Sequence, residues 1–289
     1  MELHSLQVFL TIATEKSFSR AAEKLFRTQP AISLALQRLE QELGEKLIDR
    51  SGKDLILTDA GRTVLEFARR FQSLRQELDN SLAELRDNSA GRLTIGANES
   101  TALYLLHHIE HYRELYPKIK VQVRRSFSSK IPNELLDGNL ELGVISYDPG
   151  DERLKSKVIY TDSLAFVVSP HHPLAHRKTV SIAELGSETF IAHNVLSPYR
   201  DLVLREFQQH KVALRMDVEM PTVETIRKMV QDNVGVAFLP RMCVEQEIER
   251  KLLCEVRVKE MHVERKIRLV YPTRRALSHA ARAFLELLG

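Results

Sequence analysis

Gln29, Pro30, Ser33, Leu34 and Gln37 recur on one side of a helical repeat. Their side chains are short, polar or small, and nearly uncharged. Gln can form a paired hydrogen bond with adenine, and an exposed Leu can touch a thymine methyl. A helix that meets only solvent would carry more Lys and Glu. Arg20, Arg38, Arg50 and Lys53 stand around this set, where cations would hold phosphates. Thr28, at the start of the same helix, joins the set expected to contact DNA. A helical hairpin packed on an ordinary core is the competing reading.

Other spacings point to other chemistry. His107, His108, Glu110 and His111 fit the H-x-x-E-H pattern of some zinc peptidases. The stripe Leu105, Ile109, Tyr112 and Tyr116 turns His107 and His111 away from the core. No further ligand or cleft is identifiable, so a solvated helix surface is the preferred reading and no metal is expected. Cys243 and Cys254 could form a redox pair, but buried structural thiols are expected, since free Cys is among the most buried residue types. There is no Gly-x-Ser-x-Gly, no phosphate loop and no dinucleotide glycine triplet. The chain is therefore expected to be no enzyme and to need no cofactor. Ser100 and Thr101, and again Ser128 and Ser129, follow a strand and precede a helix. Each pair offers hydroxyls beside free backbone N–H groups, which is an anion-binding arrangement. Simple helix capping would explain the same serines.

These residues need elements to hold them. A first helix is expected over about 3–14, with Leu6, Phe9, Leu10 and Ala13 buried. Ser19 is a plausible N-cap for a second helix and Thr28 for a third. Pro30 lies in the third helix's first turn. Ile32, Leu36, Leu39 and Leu43 form its buried side, and Gly44 suits its C-terminal cap. Leu47–Arg50 and Leu55–Leu57 flank the polar turn Ser51-Gly52-Lys53-Asp54, a hairpin signal. Such a hairpin after two short helices makes a wing, although a plain structural hairpin would read alike. Thr58 should cap a long helix. On it Val64, Phe67, Phe71, Leu74, Leu78, Ser81 and Leu85 follow the alternating three-and-four spacing of a coiled-coil seam. A second copy of the chain is the simplest partner for that seam.

The pattern stops at 86–91, and strands then alternate with helices. Strands are expected at 93–96, 121–123, 140–145, 164–168, 189–192, 216–219, 234–239 and 267–271. Helices are expected at 102–116, around 133–136, at 202–208, 223–230 and 277–288. Alternation of this kind argues a parallel α/β sheet, and nearly 200 residues of it argue two small lobes.

Composition sets the limits. The 289 residues are 43% hydrophobic and 28% charged, with a net charge of +3. Basic and acidic residues nearly balance within residues 1–60, so DNA binding is argued from placement and not from net charge. No apolar run approaches the roughly 18 residues of a membrane span. The start Met1-Glu2-Leu3-His4 lacks the basic patch and apolar core of a secretory leader. With only two cysteines, a cytoplasmic location is the expectation.

Several segments, in order, resemble the LysR-type transcriptional regulators. Phe18-Ser19-Arg20-Ala21-Ala22-Glu23-Lys24-Leu25 and Thr28-Gln29-Pro30-Ala31-Ile32-Ser33 match that family's helix-turn-helix. Leu39–Leu47 with Arg50 matches the start of its wing, and Leu57-Thr58-Asp59-Ala60-Gly61 the opening of its linker helix. His172-Pro173-Leu174-Ala175 and Val234–Pro240 match shorter signatures of its effector domain. Ile48 departs from a common Phe. Asn233 departs from a common Gly, although Asn tolerates a left-handed backbone.

The resemblance implies an α/β multidomain protein. Residues 1–58 would be a winged helix-turn-helix, 59–88 a linker and dimerisation helix, and 89–289 an effector domain like periplasmic binding proteins. Its first lobe would hold about 92–163 and 268–289, its second about 164–267. The implied partners are double-stranded promoter DNA, a second copy or a dimer of dimers, and a small effector expected to be anionic. RNA polymerase is a candidate further partner, and no membrane is implied. Ser100, Thr101, Ser128 and Ser129 match effector-contacting turns, with His193, Asn194, Thr222 and Val223 placed across the cleft. The alternative is a solute-binding or enzymatic α/β protein with a helical dimerisation arm.

Overall fold

A computed structural model describes residues 2–49, 55–86, 91–195 and 197–288. The chain forms two compact units: Met1–Gly91 with Asn133–Leu140, and Arg92–Pro132 with Glu141–Gly289.

In the first unit, α1 (Leu3–Glu15), α2 (Phe18–Lys24) and α3 (Gln29–Leu43) precede β1 (Ile48–Asp49), β2 (Ile56–Leu57) and α4 (Asp59–Arg86). Ser17, not Ser19, caps α2, accepting from Arg20 N at 3.3 Å. Extended backbone at Ser17 puts its hydroxyl over the first turn, while Ser19 is already inside the helix. Thr28 holds the N-cap position of α3, but its side chain makes no capping bond. Between the two helices Phe26 takes a left-handed φ of 53°, which closes the sharp turn. Gly44, at φ 73°, ends α3 as expected.

Leu6, Phe9, Ile12, Ile32, Leu36 and Leu39 form one core with Leu47, Ile48 and Ala68. Glu40 is buried beneath the wing. Its carboxylate accepts from Leu47 N at 2.9 Å and pairs with Lys46 Nζ at 3.1 Å. The other clamp is at Thr58, whose hydroxyl donates to Lys46 O at 2.6 Å and caps α4 by accepting from Gly61 N at 2.9 Å. Gly61 is required there, because a Cβ would stand 2.0 Å from the Leu47 carbonyl oxygen. The hairpin expected at 47–57 forms, and its turn lies outside the described residues.

After α4 the chain continues with β3 (Gly91–Ala97), α5 (Glu99–Leu115), β4 (Ile119–Arg125), α6 (Ile131–Leu136), β5 (Leu142–Ile145) and β6 (Leu154–Val168), all in the second unit but for Gly91 and the part of α6 from Asn133 on. Then come β7 (Thr179–Val180), β8 (Thr189–His193), α7 (Pro198–Gln209), β9 (Arg215–Met220), α8 (Val223–Gln231) and β10 (Ala237–Pro240). The chain ends with α9 (Glu245–Glu249), β11 (Cys254–Glu255), β12 (Arg257–Val258), β13 (Glu264–Pro272) and α10 (His279–Leu287).

The expected parallel sheet is mixed. β3 and β5 pair in parallel, as do β8 and β9, but β13 runs antiparallel to β5 and β6. β6 starts ten residues earlier than the pattern suggested. Its Leu154–Ser163 portion pairs with β13, then Leu164–Val167 pairs with β10. One strand therefore serves two lobes. The first lobe packs Leu93, Ile95, Leu105, Tyr112, Leu269 and Phe284 together. The second stacks Phe166, Phe190, Phe207 and Phe238, and seats α8 on Ile191 and Ala237. Asn233 takes the left-handed φ of 57° anticipated for it.

Glu40→Ala should leave the buried Leu47 N–H without its acceptor. A destabilisation of about 1–3 kcal/mol is expected, read as a lower urea midpoint for the N-terminal unit. An unchanged midpoint would remove the clamp.

Candidate functional site

Two places gather the residues singled out by sequence. The first is α3. Its Ile32, Leu36 and Leu39 are fully buried, so helical geometry turns Gln29, Pro30, Leu34, Gln37 and Arg38 to solvent, with Ser33 half-buried. Leu34 is 48% exposed. Arg20 is exposed at the start of α2. Arg50 and Lys53 lie outside the described residues. An exposed helix face without acidic residues beside exposed cations can approach a polyanion, and its amides can meet base edges.

The second place is the mouth between the two lobes. Asn98, which sequence reasoning passed over, caps α5: its Oδ1 accepts from Thr101 N at 2.9 Å and from Ser100 Oγ at 3.0 Å. Its Nδ2 donates to Ser128 Oγ at 2.8 Å. Ser100, Thr101 and Ser128 are thus brought together, while Ser129 is exposed. Thr101 is fully buried and its hydroxyl reaches Val144 O at 3.0 Å, so it holds α5 to the sheet. α6 begins only at Ile131 and spans six residues, so Ser128 and Ser129 sit in a turn and not at a long helix's start.

Below Ser100 lies a buried ion pair. Arg265 on β13 donates to Asp162 Oδ2 on β6 at 2.6 Å and to Ser100 Oγ at 3.3 Å. Its guanidinium stacks 4.9 Å from the Tyr199 ring centre, and Tyr199 OH donates to Ser146 O. Asp162 Oδ1 accepts from Met242 N at 3.1 Å. Arg265 Nε has no partner among the described residues. No short motif links Asp162 to Arg265, and only the register of two long strands sets them side by side.

Across the mouth, Thr222 caps α8 by accepting from Thr225 N at 3.2 Å. Val223 N donates to Glu99 Oε1 at 3.0 Å, so a carboxylate from the first lobe holds the second lobe's helix. Glu99 Oε2 lies 3.7 Å from His193 Nε2. His193 Nδ1 accepts from Val195 N at 3.1 Å, which leaves Nε2 as the protonated nitrogen of the neutral ring. Burial pushes the His193 pKa down; Glu99 opposes this, while Arg125 and Arg200 add to it. Asn194 is exposed, and its backbone N–H meets Met220 O.

The remaining candidates resolve locally. His107 and His111 are exposed, and His108 lies against Tyr104. Among the described residues no group of His, Cys, Asp and Glu is placed to hold a metal. Cys243 is buried, and burial pushes its thiol up to about 12, which suppresses the reactive thiolate. Cys254 is half-buried on β11, and both cysteines are free.

Comparison with known proteins follows this division. Residues 3–62 match the family model "Bacterial regulatory helix-turn-helix protein, lysR family", and residues 86–289 match "LysR substrate binding domain". The chain belongs to the LysR family. It is a DNA-binding transcriptional regulator with an effector-binding domain, not an enzyme. A "Probable RuBisCO transcriptional regulator" of Cyanophora paradoxa is 31% identical, over 98% of this chain and 90% of the relative. Full-length CbnR complexed with its target DNA shares the fold at a TM-score of 0.74, with 20% identity over 100% of this LysR-family chain and 99% of that one. The Synechocystis PCC6803 CcmR regulatory domain in complex with 2-PG has a TM-score of 0.62 and 22% identity, covering 68% of this chain and 95% of that one.

Proposed function

We propose that α3 lies in the major groove of promoter DNA, with Gln29, Pro30, Ser33, Leu34 and Gln37 against base edges. The uncharged outward face of α3 carries this reading. Thr28 stands at the positive end of the helix, where a phosphate is favoured. Arg20, Arg38, Arg50 and Lys53 supply the cations. Residues 1–58 make the DNA-binding domain, 59–88 the linker, and 89–289 the effector domain, with lobes near 92–163 plus 268–289 and 164–267. No helix among the described residues is long and apolar enough to cross a membrane. The regulator works in the cytoplasm, where its promoter is. RNA polymerase is the further partner that a promoter-bound regulator would meet.

The linker makes a homodimer, and two dimers make the tetramer that binds paired sites. Phe67, Phe71, Leu74 and Leu78 of the expected seam are exposed along α4, as is Leu82 outside it, a row of apolar side chains in need of cover; the side chains of Ser81 and Leu85 lie outside the described residues. Val64 instead packs into the N-terminal core, so the row begins at Phe67.

The effector is a small anion carrying carboxylate or phosphate. Ser100, Ser128 and the Arg265 guanidinium converge at one side of the mouth, with Thr101 fixing α5 beneath them. Ser129, His193, Asn194, Thr222 and Val223 line its rim and its far side. The 2-PG held by the CcmR regulatory domain supports a small molecule as the effector. Thermal-shift screening of phosphorylated and carboxylated metabolites against the full chain tests the class.

Anisotropy titrations of DNA from upstream of the chain's own coding region test the groove assignment. Gln37→Ala should shift preference at one base position by about 1–3 kcal/mol. Arg38→Ala should weaken all sequences alike and flatten the salt slope. An equal loss on every sequence for Gln37→Ala would move it out of the groove. In sedimentation, Leu74→Lys with Leu78→Lys should give smaller species that no longer bind the paired site. An unchanged oligomer would place the interface elsewhere.

A further inference from the structure

We infer that Glu99 is an anion the chain supplies to its own effector cleft, so that an anionic effector enters by displacing it. The inference rests on the reading of that cleft given above. Glu99 belongs to the first turn of α5 in the first lobe, yet its carboxylate serves the second lobe. Oε1 takes the Val223 N–H at 3.0 Å, at the start of the nine-residue helix α8. Oε2 is 3.7 Å from His193 Nε2, is itself shielded from solvent, and makes no hydrogen bond among the described residues. A free N–H at the positive end of a helix, beside an imidazole N–H, is where an incoming carboxylate or phosphate would be held. Here that place is taken by a side chain.

The surroundings set the consequence. Arg125 and Arg200 lie close enough to act on His193, but Arg200 is already paired with Glu219. On the other side Arg265 is paired with Asp162, with Nε left over. An anion that came in with Glu99 still seated would meet a like charge at close range. Once Glu99 swings out, the same anion gains the Val223 N–H, His193 and, on the facing side, the Ser128 hydroxyl, whose proton no contact with Asn98 uses. Glu99 thus bridges the lobes in the free chain and sets both the affinity and the charge selectivity of the site.

The test uses the full chain with 2-PG and inorganic phosphate as probes. Hydrogen exchange of the Val223–Thr225 amides is followed in the parent, Glu99→Gln and Glu99→Ala, with calorimetric titration of both probes. In Glu99→Ala, Val223 should lose its protection in the free protein and regain it on saturation with anion. Anion affinity should rise about fivefold or more, at the lower end of ordinary coupling between sites. Glu99→Gln, which keeps an acceptor for Val223, should keep much of the protection while still binding anion more tightly than the parent. Unchanged protection in Glu99→Ala, or anion affinity equal to or weaker than the parent's in both variants, would overturn the inference while leaving the anionic effector standing. Failure of parent and variants alike to bind either probe would overturn displacement together with the anionic-effector reading.

Discussion

A charge removed from water has to be matched by opposite charge or by hydrogen bonds, or the fold loses several kcal/mol. In the effector-binding half that demand centres on Arg265 and Asp162, both almost wholly buried. Asp162 has one oxygen on the guanidinium and the other on Met242 N, while Arg265 also reaches Ser100 and lies over Tyr199. The pair joins β13 to β6 near the point where β6 leaves its pairing with β13 and begins pairing with β10. It also fixes the first turn of α5 from below. The geometry of the cleft follows from these contacts. The N-terminal half answers the same demand with Glu40, whose carboxylate is spent on the backbone of the wing.

Both arrangements convert burial into orientation. A hydroxyl such as Ser100 is a poor ligand group when it rotates freely. Held between Asn98 and Arg265, the Ser100 hydroxyl has its one proton committed and fixes the first turn of α5, whereas Ser128, which only accepts from Asn98, keeps its proton to donate. Glu40 does the equivalent in the N-terminal unit by fixing where the hairpin leaves α3. The lobes meet through a different kind of contact. Glu99 is partly open to solvent, bonds one backbone N–H and approaches the His193 ring, a lighter hold than the one on Arg265 and Asp162.

Periodicity and caps made much of the architecture legible. The stripe Ile32, Leu36 and Leu39 sets the faces of α3, although Leu43, expected with them, is exposed in the last turn; Gly44 and Thr58 mark helix ends, and Asn233 takes its left-handed position. The errors have local causes. Ser17 and Ser19 are both capping types, and only backbone geometry decides between them. Leu154–Ser163 carries no clear strand signal in the sequence, because Lys155, Ser156, Lys157 and Asp162 break the apolar run and Val158 is exposed while Leu154 is buried. The site was less legible than the fold. Hydroxyls before a helix point to Ser100 and Thr101, while the side chains that tie this turn to its surroundings are those of Asn98 and Glu99 beside them. Arg265 is 103 positions from Asp162, and no spacing rule links residues that meet only through sheet register.

The measurement that bears most directly on the role of the buried pair is a double-mutant cycle across Arg265 and Asp162. It uses Arg265→Met, Asp162→Leu and both together, and follows the unfolding transition of the effector-binding half in the full chain. Each single change should cost about 3–5 kcal/mol by stranding its partner's charge, and the double variant should cost no more than either alone. Single costs that are small, or that simply add in the double variant, would contradict the assignment of this pair as the interaction on which the cleft is built.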